Sequence, residues 1–415
     1  MQRYKAIVAH PGTQHSLQAA LSFYENQMLE RYFTSICYSN KVPFYQLISK
    51  LPVIVKKDIE ALLLKRRASG LDDSFVEQYP WFEFFSFAIR KLFKNQTLNS
   101  HLVYFQNRMF DKWVATKLPS LNFDIYIGYE GSSLESFRVC KKTKKHCVLD
   151  LASSHWKFKK MVYDTENSIS NQSTALFNKI NLLKSKELEL ADTILIPSSY
   201  SKDSLSFGGV VNKNIVQIPY GVDTEKFFLK ENYNKTKKLS LLYVGAISYA
   251  KGVHYLLKAF KELNLKDAEL VLIGNCVNRE LVDNYKDLIT YYKYLPHEEL
   301  IYYYQSADVL LMPSLDDSFG FVVLEAMACG TPVIVSANTG SKDLIQNGYN
   351  GFIVPVKNIQ VLKDKIMVFY KNRNETEIMG KQARKTVENY SWQVYREKLR
   401  SAINQIIDKQ STLKQ

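Results

Sequence analysis

Asp317-Ser-Phe-Gly-Phe-Val-Val-Leu-Glu325 sets two carboxylates eight residues apart. Between them stand a Ser-Phe-Gly turn and the opening turns of an apolar helix. Ala326-Met-Ala-Cys-Gly-Thr-Pro-Val-Ile-Val335 follows, a Gly-Thr-Pro break leading into a β-rich run. The free N–H groups of a first helical turn, with the positive end of the helix dipole, favour an anion. Carboxylates are poor phosphate ligands but good acceptors for sugar and ribose hydroxyls. The pattern therefore calls for a ligand with both parts, such as a nucleotide-sugar. Upstream, Leu242-Tyr-Val-Gly-Ala-Ile-Ser-Tyr-Ala-Lys-Gly-Val253 places Lys251 at a helix start, behind a loop opened by Gly245. A cation there can neutralise the two phosphates of a leaving nucleoside diphosphate.

The acidic segment resembles the E-x7-E signature of retaining glycosyltransferases of family 4, which have the GT-B fold, with Asp317 in place of the first Glu. Residues 242–253 resemble that family's strand, glycine loop and helix that hold the donor diphosphate. The resemblance covers nearly all of residues 190–400 and is looser over residues 1–160. It implies a nucleotide-sugar donor, an acceptor hydroxyl, retention of anomeric configuration, and no metal or other cofactor. It gives Glu325 the ribose hydroxyls and Asp317 the donor-sugar hydroxyls. The N–H groups around Ser318, Phe319, Gly320 and Phe321 would meet sugar or phosphate oxygens. Asp316 is an adjacent candidate whose spacing to Glu325 is off by one. The family usually carries Arg just after the first Gly, where this chain has Ala246, so one phosphate contact is absent or comes from elsewhere. Taken singly, Asp317 could be a helix N-cap, Glu325 a surface acid and Lys251 a solvated lysine; their joint occurrence with Ser-Phe-Gly and Gly-Thr-Pro favours a site.

Three further positions belong to the first half of the chain. His155, in Asp150-Leu-Ala-Ser-Ser-His-Trp156, follows a predicted strand and resembles the cleft histidine that family members carry near the donor sugar. Its alternative is a surface histidine in a turn. His15, in His10-Pro-Gly-Thr-Gln-His15, lies on the first loop, where related enzymes bring backbone close to donor phosphate or acceptor, and Gly12 permits that approach. This loop lacks the spacing of a P-loop. Lys50–Arg67 mixes apolar residues with a basic flank. It reads either as an interfacial helix on anionic lipid, suiting a lipid-linked acceptor, or as an ordinary amphipathic helix. Tyr79–Phe87 is strongly aromatic and reads as core, or as the wall of an acceptor site.

These residues need a frame. The 415 residues, 46% hydrophobic and 23% charged, suit a globular chain of two domains. Short apolar runs alternate with helical segments, which predicts parallel sheets wound on both faces, with ligands at the carboxyl ends of the strands. The fold class expected is α/β, GT-B, with two doubly wound Rossmann-like domains facing a central cleft. Residues 1–218 form the acceptor-side domain and 219–394 the nucleotide-sugar domain, with 395–415 packing back on the first. Strands are expected at 5–9, 124–129, 146–150, 192–198, 215–223, 239–244, 269–274, 309–312, 333–336 and 351–355. Helices are expected at 16–30, 201–207, 253–263, 297–306 and from about 320.

Of the net charge of +14, residues 1–218 carry 29 Lys+Arg against 19 Asp+Glu and the remainder 26 against 22. Anionic lipid or an anionic glycan or lipid-linked acceptor fits that excess in the first half; no nucleic-acid motif accompanies it. Five scattered cysteines without a CxxC pair predict reduced thiols, and Cys140, His146 and Cys147 lack metal-ligand spacing. No apolar run is long enough to span a bilayer, and the N-terminus reads as a short strand rather than a signal peptide. The expected location is cytoplasmic, either free or peripheral at the inner face of the membrane. The activity expected is glycosyl transfer in polysaccharide or glycolipid assembly. A sugar-nucleotide-binding protein without turnover and a sugar-nucleotide epimerase remain the alternatives.

Overall fold

The computed structural model describes residues 4–12, 15–37, 69–93, 96–166, 175–211, 213–233 and 238–412. The basic stretch 50–67 lies outside them. Seven parallel strands form one sheet in the order β3-β2-β1-β4-β5-β6-β7 and six form another in the order β10-β9-β8-β11-β12-β13. The first comprises β1 (Ala6–Ala9), β2 (Leu29–Thr34), β3 (Val76–Gln78), β4 (Ile125–Tyr129), β5 (His146–Asp150), β6 (Thr193–Ile196) and β7 (Asn214–Gln217). The second comprises β8 (Leu239–Val244), β9 (Ala268–Ile273), β10 (Thr290–Tyr292), β11 (Val309–Met312), β12 (Val333–Ser336) and β13 (Gly351–Val354).

Central strands are apolar along their whole length because helices cover both faces. Every residue of β1, β5, β11 and β12 is buried. The strands missing from the sequence reading, β2, β3 and β10, lie at or next to the sheet edges and mix polar with apolar residues. The expected helix 16–30 is a correction: it stops at Tyr24, Gln27 takes a left-handed φ of 58°, and β2 begins at Leu29.

Five helices position the site: α1 (Ser16–Tyr24), α2 (Trp156–Asp164), α3 (Ser199–Phe207), α4 (His297–Ser306) and α5 (Phe321–Ala328). A last one, α6 (Trp392–Thr412), buries Tyr395, Leu399, Ile403 and Ile406 at helical spacing. It returns to the first sheet, where Ser22 Oγ donates to the Arg396 carbonyl at 2.6 Å and Tyr4 OH to Asn404 Oδ1 at 2.9 Å. The two crossings between sheets run side by side, Val222 N donating to Tyr390 O at 2.8 Å. All five cysteines are free. No described helix is long and apolar enough to cross a membrane.

Candidate active site

Each sheet reverses its strand order once, between β1 and β4 and between β8 and β11. Loops diverge there and leave a crevice beyond the strand ends. In the second sheet that crevice is built by the loop after β8 and the loop after β11. Gly252 closes the first with φ +67°, and a Cβ on it would stand 2.0 Å from the Pro313 carbonyl oxygen, so only glycine permits the approach. Leu315 N donates to Ala250 O at 3.1 Å and fastens the two loops.

This contact delivers Lys251 to Asp317. The ammonium lies 2.7 Å from Asp317 Oδ2 and 3.2 Å from the Asp316 carbonyl oxygen. Both side chains keep partial exposure, 28% for Lys251 and 17% for Asp317. Asp317 Oδ1 accepts from Phe319 N at 3.2 Å, so that amide is spent inside the loop. Gly320, at φ +80°, then turns the chain into α5, whose first N–H groups have no intrahelical acceptor. Ser318 is tied to the first domain, its carbonyl accepting from Ser198 Oγ at 2.6 Å. Gly245 heads the β8 loop, and the neighbouring Ala246 presents its carbonyl to Tyr243 OH at 2.7 Å.

Glu325 lies just past the first turn of α5 rather than two turns in, and makes no hydrogen bond or ion pair with Lys251 or Asp317. Its carboxylate accepts from Tyr304 OH of α4 at 2.7 Å. Burial pushes its pKa up to about 7, against the opposing pull of the Tyr304 hydroxyl and the Lys226 charge. Asp316 is the more enclosed of the two adjacent acids. Its Oδ1 accepts from Ser154 Oγ at 2.6 Å and Tyr200 OH at 2.9 Å, both from the first domain. Asp316 thus clasps the domains together, while Asp317 faces the lysine.

His155 is a correction. Its Nδ1 accepts from Lys157 N at 3.2 Å, capping α2, and its ring lies against Gly208, where a Cβ would come within 2.4 Å. Burial lowers its pKa. Its neighbour Ser154 is the one that meets the second sheet's loops, at Asp316. His155→Ala should therefore cost about 1 kcal/mol of stability through the lost cap and leave turnover nearly unchanged; urea unfolding and initial rates check both.

His15 is also redirected. Only 3% exposed, it places Nε2 2.8 Å from Asp150 Oδ2 and its ring 4.1 Å from that of Tyr220. Its imidazole does not reach ligand space, but it fixes a carboxylate that does. Asp150 lines a hollow of about 400 Å³ at the β1/β4 reversal, with His10, Gly12, Asn107, Glu130 and Ser153. Gly12 is part of the lining of this hollow. The aromatic segment contributes Glu83 to this hollow, while Trp81 and Phe85 remain exposed. Tyr220, whose OH lies 3.4 Å from Asp150 Oδ1, stacks on Phe321 at 5.2 Å and meets Phe319 edge-on. It links the first-domain hollow to the start of α5.

Sequence reasoning missed Ser154, Tyr200 and Tyr304. Only Ser154 carried a signal, its place beside His155 after a strand end. Among the described residues no group of three or more His, Cys, Asp or Glu could hold a metal ion.

Residues 224–386, which contain the second sheet, match the model of the family Glycosyl transferases group 1. The sulfoquinovosyl transferase SQD2 of Arabidopsis thaliana is 30% identical over 229 residues, 51% of this chain and 44% of that protein. The capsular polysaccharide biosynthesis glycosyltransferase CapM of Staphylococcus aureus is 31% identical over 201 residues, 44% of this chain and 52% of that protein. The chain spans about half the length of the curated relatives it matches. Among solved structures, sucrose-phosphate synthase from Thermosynechococcus elongatus superposes with a TM-score of 0.64 at 17% identity, covering 98% of this chain and all of that one. HepE from Anabaena, in complex with UDP-glucose, gives 0.62 at 12% identity, covering 97% of this chain and all of that one. The fold is GT-B.

Proposed function

We propose that this protein is a glycosyltransferase that moves a sugar from a nucleotide-sugar to an acceptor hydroxyl with retention of configuration, in polysaccharide or glycolipid assembly. The observation that carries this reading is the contact of Lys251 with Asp317 at the strand reversal of a glycosyl transferases group 1 domain. The donor diphosphate lies beside Lys251 and the opening N–H groups of α5, the ribose hydroxyls reach Glu325, and the sugar hydroxyls reach Asp317. The acceptor enters the first-domain hollow lined by Asp150 and Glu130.

As the bond from the anomeric carbon to the phosphate oxygen breaks, its electron pair stays on the phosphate. Lys251 and the helix N-terminus meet the developing charge. The acceptor oxygen bonds to the anomeric carbon on the face the phosphate leaves, and its proton passes to the departing phosphate. No protein nucleophile or metal is invoked. Names among the relatives support the substrate class: the HepE complex contains UDP-glucose, and CapM acts in capsular polysaccharide biosynthesis.

The test is an assay of UDP-, GDP- and ADP-sugars with neutral glycosides, glycans and lipid-linked acceptors, with the anomer of the product read by NMR. Transfer with retained configuration supports the reading. Binding without turnover would favour the binding-protein alternative, to which Ala246 and the engaged Asp317 lend weight. Conversion of donor without acceptor would mean an epimerase.

A further inference from the structure

We propose that Lys159, carried by the first domain, is the second cation of the donor diphosphate site. This rests on the reading above and adds a residue that the second domain does not contain.

Helix α2 leaves the first sheet after β5 and lies against the β8/β11 reversal. Just before it, Ser154 Oγ donates to Asp316 Oδ1 at 2.6 Å. Lys159 Nζ stands 3.7 Å from Asp316 Oδ2. One turn on, the ring of Tyr163 lies 5.6 Å from Lys159 Nζ, and the charges acting on its hydroxyl are those of Asp316, Lys251 and Asp317. Past the end of α2, Glu166 accepts from Tyr255 OH at 2.8 Å and Thr165 O accepts from Lys357 Nζ at 2.6 Å, both partners from the second domain. Positions 159 and 163 lie four apart on one face of α2. That face is the one turned to the donor crevice.

Two ammonium groups therefore flank one residue, Lys251 at the carbonyl oxygen of Asp316 and Lys159 at its carboxylate. Charge arithmetic gives the second one a purpose. The charge of Lys251 is already opposed by Asp317, and Ala246 in the same loop brings none. With Asp316 counted, the second domain's charged groups here, Lys251, Asp317 and Asp316, sum to −1 and would repel a diphosphate; Lys159 brings the sum to zero. Lys159 is 44% exposed, and 3.7 Å is an ion-pair distance too long for a hydrogen bond, so its donors remain available to a ligand. Asp316 Oδ1 is satisfied by Ser154 and Tyr200, so the clasp does not need the lysine.

The ligand class is the diphosphate of a nucleotide-sugar, held by one lysine from each domain. As the sugar–phosphate bond breaks and the acceptor–sugar bond forms, the acceptor's proton passes to the departing phosphate and neither lysine takes part in that transfer. Since Lys159 arrives with the first domain, the net negative charge facing the diphosphate is cancelled only when the domains are together, which ties bond cleavage to closure.

The experiment is calorimetric titration of UDP, GDP and ADP into the wild type, Lys159→Ala, Lys159→Arg and Lys160→Ala, with the matching nucleosides in parallel. Lys160 pairs with Asp164 and serves as a control of the same charge on the same helix. Lys159→Ala should weaken the best-bound diphosphate about tenfold and leave nucleoside binding unchanged. Lys159→Arg should retain most of the affinity and Lys160→Ala all of it. Donor kcat/KM should fall in Lys159→Ala at least as far as affinity does. Wild-type diphosphate affinity in Lys159→Ala with a lowered melting temperature would make Lys159 a tether for Asp316 and overturn the proposal. Equal losses of diphosphate and nucleoside binding would overturn it as well, since they signal a distorted cleft. Normal transfer by Lys159→Ala sinks this proposal alone, whereas a wild type that binds no nucleoside diphosphate sinks the functional reading with it.

Discussion

Lys251→Ala should lower donor kcat/KM by about 100-fold or more, with most of the loss falling on kcat. The ammonium stabilises charge that grows on the departing diphosphate, so its contribution is larger in the transition state than in the bound donor. Its removal also leaves Asp317 without the partner 2.7 Å away, and that carboxylate then repels the phosphates. Lys251→Ala/Asp317→Ala should consequently be less impaired than the two single losses multiplied together, because each single variant includes the cost of stranding its partner. Steady-state kinetics on the four proteins, with circular dichroism to show that the fold persists, measures this directly. Near-normal turnover in Lys251→Ala would remove the lysine from the mechanism.

Glu325→Gln should lose activity and gain stability in the same molecule. Burial raises the Glu325 pKa from 4.5 to about 7. Between those two values the folded protein binds more protons than the unfolded chain, so stability falls as pH rises through the window. The penalty is absent below about pH 4.5 and complete above about pH 7, where it reaches roughly 3 kcal/mol at most. Glutamine carries no charge, still accepts from Tyr304 OH, and escapes the penalty. Melting curves from pH 5 to pH 8 should show the wild type losing more stability than the variant, and the variant the more stable at pH 8. Parallel curves would mean that Glu325 carries no burial cost. Activity should move the other way. A neutral amide is a weaker acceptor for ribose hydroxyls than a carboxylate, so donor kcat/KM at pH 8 should drop about tenfold or more. An unchanged value would take the ribose role from Glu325. The destabilised carboxylate is the kind of local conflict that functional sites keep.

Much of this molecule is written in short stretches of chain. The apolar runs 239–244, 309–312 and 333–336 become β8, β11 and β12 over those same residues, and 253–263 and 297–306 become helices. A buried parallel strand must be apolar throughout and an amphipathic helix must repeat at its own period, so each announces itself within a few residues. Lys251, Asp317 and Glu325 stood out as candidates for a similar reason: glycine turns and helix starts have local signatures, and the chemistry of ammonium and carboxylate is fixed by residue type. Gly12 stood out as a candidate from its place behind the first strand.

The pairing of those groups was not local. Lys251 meets Asp317 across 66 residues because β8 and β11 are neighbours in the sheet. Nothing near either residue states that strand order. His155 and Ser154 differ by one position, and only the packing of α2 against Gly208 decided that the serine, not the histidine, meets Asp316. His15 looked available from its loop, yet Asp150 and Tyr220, from distant parts of the chain, close over it. Residue types and local periodicity determined which elements form and what chemistry the chain can offer. Tertiary structure decided which side chains face one another, because contacts between distant segments depend on how the sheets are ordered and how the two domains meet.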